Sequence, residues 1–440
     1  MQNWVENVMW WQVYPLGFVG AEIRPSDDTQ HHSDAEPADQ PLVRIETWLD
    51  HVIELGLNGL QLGPIFASST HGYDTVDYFR IDPRLGDERG FDRLVDAAHS
   101  RGIRVLLDGV FNHVSRQHPA FVALSDGPDA PTADLFRVRW DGWSPGDPVD
   151  ADVFEGHEQL VALNHSSQAV EDMVVDVMNH WLARGADGWR LDAAYAVPSE
   201  FWARVLKRVR AEHPDVWITA EVIHGDFSAI ARESTVDSIT QYELWQGIWH
   251  GIADGNLFEL AHAIERNNEF LETFVPSSFI GNHDVTRIAS AVGTLAPHAA
   301  ALLFTLAGVP SVWAGDEYAY EGVKEERIGG DDVIRPEFPP VPPAPLPLYK
   351  ELIALRRQHA WLVSAHSDVV EVRNGSIVIR TATPSDAIIT ALNITDAPVT
   401  LPDAGADVVL AGSAVLDGGI QLPAFGWAVL GSGATSSLPA

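Results

Sequence analysis

The sequence predicts an α/β protein: a (β/α)8 TIM barrel with a small excursion domain after its third strand and an antiparallel β-sandwich domain at its C-terminal end. Three observations lead there. Short β-rich apolar runs alternate with helical stripes from the start of the chain, which is the pattern of a parallel sheet built from βα units. Eight such runs can be counted before the pattern stops, and eight is the number that closes a barrel. Beyond about Val363 the hydrophobic period falls to two and no helical stripe fits.

Taken in order, MWWQVYP (Met9 to Pro15) is the first strand, followed by a polar, acidic loop. Leu42, Ile45, Trp48, Leu49, Val52 and Ile53 then share one face and predict a single amphipathic helix, ended by Gly56. GLNGLQLGP (Gly56 to Pro64) and GIRVLLDGV (Gly102 to Val110) are the second and third strands, separated by a helix through Phe91, Leu94, Val95 and Ala98. From His113 to about Ser166 the chain is rich in Pro, Gly, Asp and Trp. It far exceeds a βα loop of about 2 to 6 residues, so 114–166 reads as an excursion domain and 1–113 with 167–362 as the barrel. The alternation resumes with a helix over Ala169 to Ala183, strand DGWRLDAA (Asp187 to Ala194), a helix through Phe201 to Arg210, and strand DVWITAEVI (Asp215 to Ile223). SITQYEL near Ser238, SSFIGNHD near Ser277 and GVPSVWAGDE near Gly308 complete the count. Pro336 to Pro347 is a rigid loop and Leu348 to Leu362 the last barrel helix. In 363–440, DVVEVRNGSIVIRTATP and AIITALNI alternate at period two between Asn-Gly and Asp-Gly-Gly turns, the marks of antiparallel hairpins. GSGATSSLPA reads as a flexible tail.

Composition narrows the function. Lys and Arg number 28 against 62 Asp and Glu, a formal net charge of −34. An evenly acidic chain repels phosphate backbones and anionic lipid, so no nucleic-acid or membrane partner is expected. With no cysteine there is no disulfide, thiolate metal site or cysteine nucleophile. Met1 to Asn7 carries no Lys or Arg, and the apolar stretch from Val8 is broken by Gln12, so no secretory signal can be drawn and a cytoplasmic protein is expected.

In a barrel, chemistry sits where the strands end on the C-terminal face. Here those ends are carboxylates: Asp108, followed by Asn112 and His113, after strand three; Arg190 and Asp192 on strand four; Glu221 on strand five; His283 and Asp284 on strand seven. Acids converging beside a guanidinium have their ionisation split, one kept protonated by burial and like charge and another kept ionised. Glycoside hydrolysis uses that division: in its retaining form one carboxylate attacks the anomeric carbon while a second protonates the leaving oxygen. Fifteen Trp and eight Tyr suit a sugar substrate, although most large aromatics serve the core.

DGVFNH, GWRLDAA, AEVIH and FIGNHD stand in the order and at the separations of the four conserved regions of the α-amylase family, glycoside hydrolase family 13, which the chain resembles over nearly its whole length. HGYDTVDY (His71 to Tyr78) and GVPSVWAGDE add two weaker matches. HGYDT is closest in flavour to the intracellular neopullulanase and maltooligosaccharide-hydrolase branch. The resemblance implies Asp192 as nucleophile, Glu221 as general acid and base, and Asp284 as the acid that holds the distorted sugar. It implies Tyr73 stacked on that sugar, and His113 and His283 on its hydroxyls. Arg190, two residues before Asp192, would keep the nucleophile ionised, Asp108 would brace the site, and His224 would touch the sugar beyond the scissile bond. The substrate implied is an oligosaccharide.

The chain also departs from the family. Where typical members follow the nucleophile with a Lys-His pair, this chain reads Ala193, Ala194, Tyr195 and Ala196, and in the excursion LVALN has Ala162 where a charged residue is common. The pair's backbone, with Asn112 and acids of the excursion, would hold the family's calcium. The first loop lacks the Asp-x-Asp-x-Asp-Gly spacing of a calcium loop, so neither metal nor cofactor is expected. The leading expectation is a retaining hydrolase of α-glucosidic bonds. A transglycosylase would use the same residues, and a binding barrel would have lost the acids kept here.

Overall fold

The computed structural model describes residues 4–24 and 40–432. Most of the acidic first loop (25–39) and of the terminal tail (433–440) lies outside the described residues. Eight parallel strands close a barrel: β1 (Trp10–Val13), β2 (Gly59–Leu62), β3 (Arg104–Gly109), β4 (Gly188–Leu191), β5 (Trp217–Ala220), β6 (Ser238–Thr240), β7 (Val275–Phe279) and β8 (Val309–Trp313). Neighbours in the barrel are neighbours in the chain, and β8 closes on β1 with Trp10 opposite Ser311. Strands β1, β2, β4 and β5 are buried at every residue, as a sheet covered on both faces requires, which is why they read as largely apolar runs.

The helix expected over Leu42 to Ile53 is two helices, α1 (Leu42–Glu46) and α2 (Leu49–Leu55). Thr47 turns its hydroxyl back onto Arg44 O at 2.7 Å, and the break re-aims α2 so that Leu49, His51, Val52 and Leu55 face inward while Ile53 is 43% exposed. Gly56 ends α2 with φ +93°, a conformation that favours glycine. The ring continues with α3 (Glu88–Ser100), α4 (Gln168–Ala183), α5 (Ser199–Glu212), α6 (Phe227–Ser234), α7 (Tyr242–Ala253), α8 (Leu257–Leu271), α9 (Ala296–Thr305) and α10 (Pro347–Gln358). Helix α10 stops short of Leu362, and Ala360–Ser364 follows as a 3₁₀ turn. Ile288–Thr305 is long and apolar enough to cross a membrane by length and composition alone. Here it is interrupted at Gly293 and packs into the core beneath the C-terminal sheet.

After β3 the chain builds an antiparallel sheet from His113–Ser115, His157–Ala162 and Val153–Phe154, at the mouth of the barrel. Beyond α10, β9 (His366–Arg373), β10 (Ser376–Ala382), β11 (Ala387–Asn393), β12 (Val399–Leu401), β13 (Val408–Gly412), β14 (Val415–Leu416), β15 (Ile420–Leu422) and β16 (Trp427–Gly431) form two antiparallel sheets, ordered β9-β10-β11-β16-β13 and β12-β15-β14. Ile377 and Ile379 of β10 join the barrel core while Val378 between them joins the core shared by the two sheets. Both faces are buried, so the period-two pattern here is apolar against apolar.

Candidate active site

Strands β3, β4 and β5 lie side by side with Arg190 opposite both Asp108 and Thr219, and Leu191 opposite Gly109 and Ala220. The ladder runs one step past the strands: Asp192 N donates to Gly109 O at 3.0 Å and Glu221 N to Leu191 O at 2.9 Å. Asp192 and Glu221 thus stand next to each other on the C-terminal rim. Asp192 follows Arg190 by two residues, so their side chains point the same way. Ala193 then turns the chain through φ +44°, a left-handed conformation unusual for a residue with a Cβ, and aims its N–H at Glu221 Oε2 (3.0 Å).

One buried guanidinium serves three acids. Arg190 Nη1 donates to both oxygens of Asp108 at 2.7 Å and lies 3.2 Å from Asp192 Oδ1, while Nη2 is 2.6 Å from Glu221 Oε1. Tyr73 donates to Asp108 Oδ2 at 3.0 Å, contacts His283 Nε2, and lies flat on the His283 ring, with centroids 5.3 Å and planes 3° apart. Gln12 Nε2 lies 3.2 Å from His283 Nδ1, and His283 Nε2 lies 2.9 Å from Asp284 Oδ2. Asp284 Oδ1 accepts from Arg335 Nη2 at 2.7 Å, and Arg335 Nε donates to His283 O at 2.7 Å.

These contacts divide the acids. Burial pushes the Asp108 carboxyl up, against Arg190. Burial, reinforced by the charge of Glu221, raises Asp192 well above the usual carboxylate range and outweighs Arg190. This runs against the expectation that Arg190 would keep Asp192 ionised: its shortest bonds go to Asp108 and Glu221. Asp284 goes the other way. Burial opposes its ionisation, but His283, Arg335 and Arg190 hold it well below the usual range.

The structure gathers Asp108, Arg190, Asp192, Glu221, His283, Asp284 and Tyr73 into one contact network. His113, expected on a sugar hydroxyl, is placed otherwise. Its Nε2 donates to Tyr73 O at 2.9 Å, its Nδ1 accepts from Asn112 at 3.1 Å and its ring stacks on Phe154 at 4.7 Å, so it holds the Tyr73 loop. Burial lowers its pKa to about 4, leaving it neutral. His224 stays at the exposed rim, edge-on to Tyr195 at 4.7 Å, and Tyr195 donates to Glu155 of the excursion at 2.8 Å. Gln12, Tyr242, Asn282 and Arg335 were not singled out from the sequence. Tyr242 and Asn282 sit just past β6 and β7 inside SITQYEL and FIGNHD, and a reading of every polar residue at those ends would have found them. Arg335 comes from far along the loop after β8 and had no such signal. Among the described residues no group of three or more acids and histidines could hold a metal ion. Asn112 donates its side-chain amide to His113 Nδ1 at 3.1 Å, and its backbone carbonyl accepts from Leu163 N at 3.0 Å.

A cyclomaltodextrinase from Bacillus sp is 32% identical over 345 residues, 72% of this chain and 60% of that protein. An intracellular maltogenic amylase from Bacillus subtilis is 29% identical over 393 residues, 82% of this chain and 63% of that one. The chain thus spans about 60% of the length of the curated relatives it matches. Among solved structures, the cyclic α-maltosyl-(1→6)-maltose hydrolase from Arthrobacter globiformis in complex with maltose superposes with a TM-score of 0.80 at 25% identity, covering 98% of this chain and 100% of that one. The model of the alpha amylase catalytic domain matches residues 42–338, and the chain belongs to the α-amylase family.

Proposed function

We propose that this protein hydrolyses α-glucosidic bonds in maltooligosaccharides and related α-glucans, cyclic ones included, with retention of configuration. The observation that carries the reading is the single buried guanidinium of Arg190 shared by Asp108, Asp192 and Glu221 at the C-terminal rim of the barrel. Asp192 attacks the anomeric carbon as the bond to the leaving oxygen breaks, and Glu221 delivers its proton to that oxygen. Glu221, now a carboxylate, takes a proton from water, whose oxygen attacks the anomeric carbon from the opposite face, frees Asp192 and restores the α-anomer. Asp284, ionised beside Arg335 and His283, grips the hydroxyls of the reacting sugar, and Asp108 holds Arg190 in place. Relatives named cyclomaltodextrinase and intracellular maltogenic amylase support short or cyclic α-glucans and an intracellular setting. No metal or organic cofactor is part of the proposal.

The test is to incubate the protein with maltotetraose, pullulan and a cyclic dextrin without added calcium and to follow product anomers by NMR. Early α-anomeric short sugars are expected, and Glu221→Gln should lower turnover of these substrates by about 10²- to 10⁴-fold. Full activity in that variant would overturn the site assignment, and β-anomeric products would overturn retention. Longer products would make the protein a transglycosylase.

A further inference from the structure

The two oxygens of Glu221 are treated differently by the protein, and the difference bears on where a catalytic proton can sit. Oε1 accepts from Arg190 Nη2 at 2.6 Å and from the Tyr242 hydroxyl at 3.2 Å. Two donors fill the two lone pairs of a carboxylate oxygen. Among the described residues Oε2 takes one donor, Ala193 N at 3.0 Å, which leaves it a position for a proton.

The direction of the Tyr242 hydroxyl follows from a chain of fixed donors. Asp284 N is a backbone donor and lies 2.8 Å from Asn282 Oδ1, so the Asn282 amide is oriented with its oxygen toward Asp284. Its Nδ2 then donates to the Tyr242 oxygen at 3.0 Å. Tyr242 receives a hydrogen on one side and must give its own on the other, where Glu221 Oε1 lies. The ring that carries this hydroxyl is held edge-on by Phe279 at 4.9 Å and Trp245 at 5.8 Å. Asp284 and Glu221, at the ends of β7 and β5, are thereby joined through Asn282 and Tyr242.

We infer that Tyr242 is a positioning residue for Glu221: oriented by Asn282, it keeps Oε1 filled and confines the catalytic proton to Oε2. The inference rests on reading Glu221 as the general acid. The proton that crosses to the leaving oxygen departs from Oε2, and water later returns one to the same atom.

Tyr242→Phe removes the hydroxyl and keeps the ring between Phe279 and Trp245. Arg190 and Asp192 on and after β4, Asp108 on β3 and Asp284 after β7, the charged groups around Glu221, stay as they are. With one donor lost, Oε1 competes for the proton. On maltotriose, whose leaving sugar needs protonation, kcat/KM should fall about 10- to 100-fold, and on α-maltosyl fluoride, whose leaving group departs without it, less than about 3-fold. The basic limb of the pH profile should move to higher pH, because a carboxylate that loses a donor holds its proton harder. Equal losses on both substrates, or no loss and no movement of that limb, would overturn the inference. Glu221→Gln, run alongside, separates the two readings. If it still hydrolyses maltotriose, the general-acid assignment has failed; if it is inactive and Tyr242→Phe behaves as wild type, only the role of Tyr242 has.

Discussion

Arg335 shows how much of this site depends on a single residue that no strand delivers. Its guanidinium binds both the carboxylate of Asp284 and the carbonyl of His283, and it lies over the Tyr14 ring at 4.8 Å. Together with His283 it overcomes the burial that would otherwise neutralise Asp284. Arg335→Ala should lower kcat/KM for maltotetraose by about 10- to 100-fold, the worth of a charge-assisted hydrogen bond of roughly 1.5–3 kcal/mol. The sign of the accompanying pH effect is fixed. Asp284 loses a partner that favours its charged form, takes up its proton at higher pH, and the acid limb of the profile moves up. An unchanged acid limb would mean that Asp284 does not need Arg335. At this scale the sequence identified the acids because they terminate apolar runs. It could not say how one guanidinium is apportioned, since the preference of Arg190 for Asp108 and Glu221 over Asp192 is a matter of tenths of an ångström set by barrel register.

Among the elements, the turn after β4 holds a non-glycine residue in a left-handed conformation. Ala193 adopts φ +44° so that its N–H reaches Glu221, a conformation that costs an L-residue about 1–2 kcal/mol. A β-branched side chain tolerates it least. Ala193→Val should lower the melting temperature by a few degrees and turnover by more than the stability loss explains, as seen by calorimetry and steady-state rates on one preparation. Ala193→Gly should keep both. Loss of stability with intact turnover would show that the turn is not needed to aim the N–H. The elements themselves were largely legible. Seven of the eight barrel strands lie inside the runs read from the sequence, and β7 begins two residues ahead of SSFIGNHD, because a strand buried on both faces reads as a largely apolar run. The Leu42 to Ile53 stripe misled because periodicity records which residues are apolar and is blind to Thr47 bonding back to Arg44. Eight of the fifteen tryptophans, Trp10, Trp11, Trp48, Trp181, Trp189, Trp202, Trp217 and Trp313, are fully buried, so the aromatic richness is mostly packing.

For the whole molecule, acid stability is a contest between buried groups of opposite habit. Burial lowers His113, His118 and His165, in or beside the excursion, to about 4 each, so they fold neutral. An unfolded histidine titrates near 6.5. Each histidine's contribution is therefore intact above about pH 6.5 and lost as pH falls toward 4. Asp316, raised by burial to about 7 despite its ion pair with Arg287, binds its proton in the folded state over the same range and acts in the opposite sense. The clean measurement is thus a difference. His118 caps a short helix by accepting from Ala120 N at 3.2 Å, a role that asparagine can keep. The melting temperature of His118→Asn relative to wild type should rise steadily between pH 6.5 and 4. A flat difference would show that His118 is not neutral when folded. What the sequence by itself determined is the family, the barrel with its added β domain, and the acids at the strand ends, because hydrophobic period and strand-terminal chemistry are local properties written residue by residue. Only the tertiary structure decided the sharing of Arg190, the turning of His113 away from the substrate role, the arrival of Arg335, and the path from Asp284 through Asn282 and Tyr242 to Glu221. Those depend on side chains far apart in the chain meeting at hydrogen-bond distance, which closing the barrel brings about and no run of adjacent residues encodes.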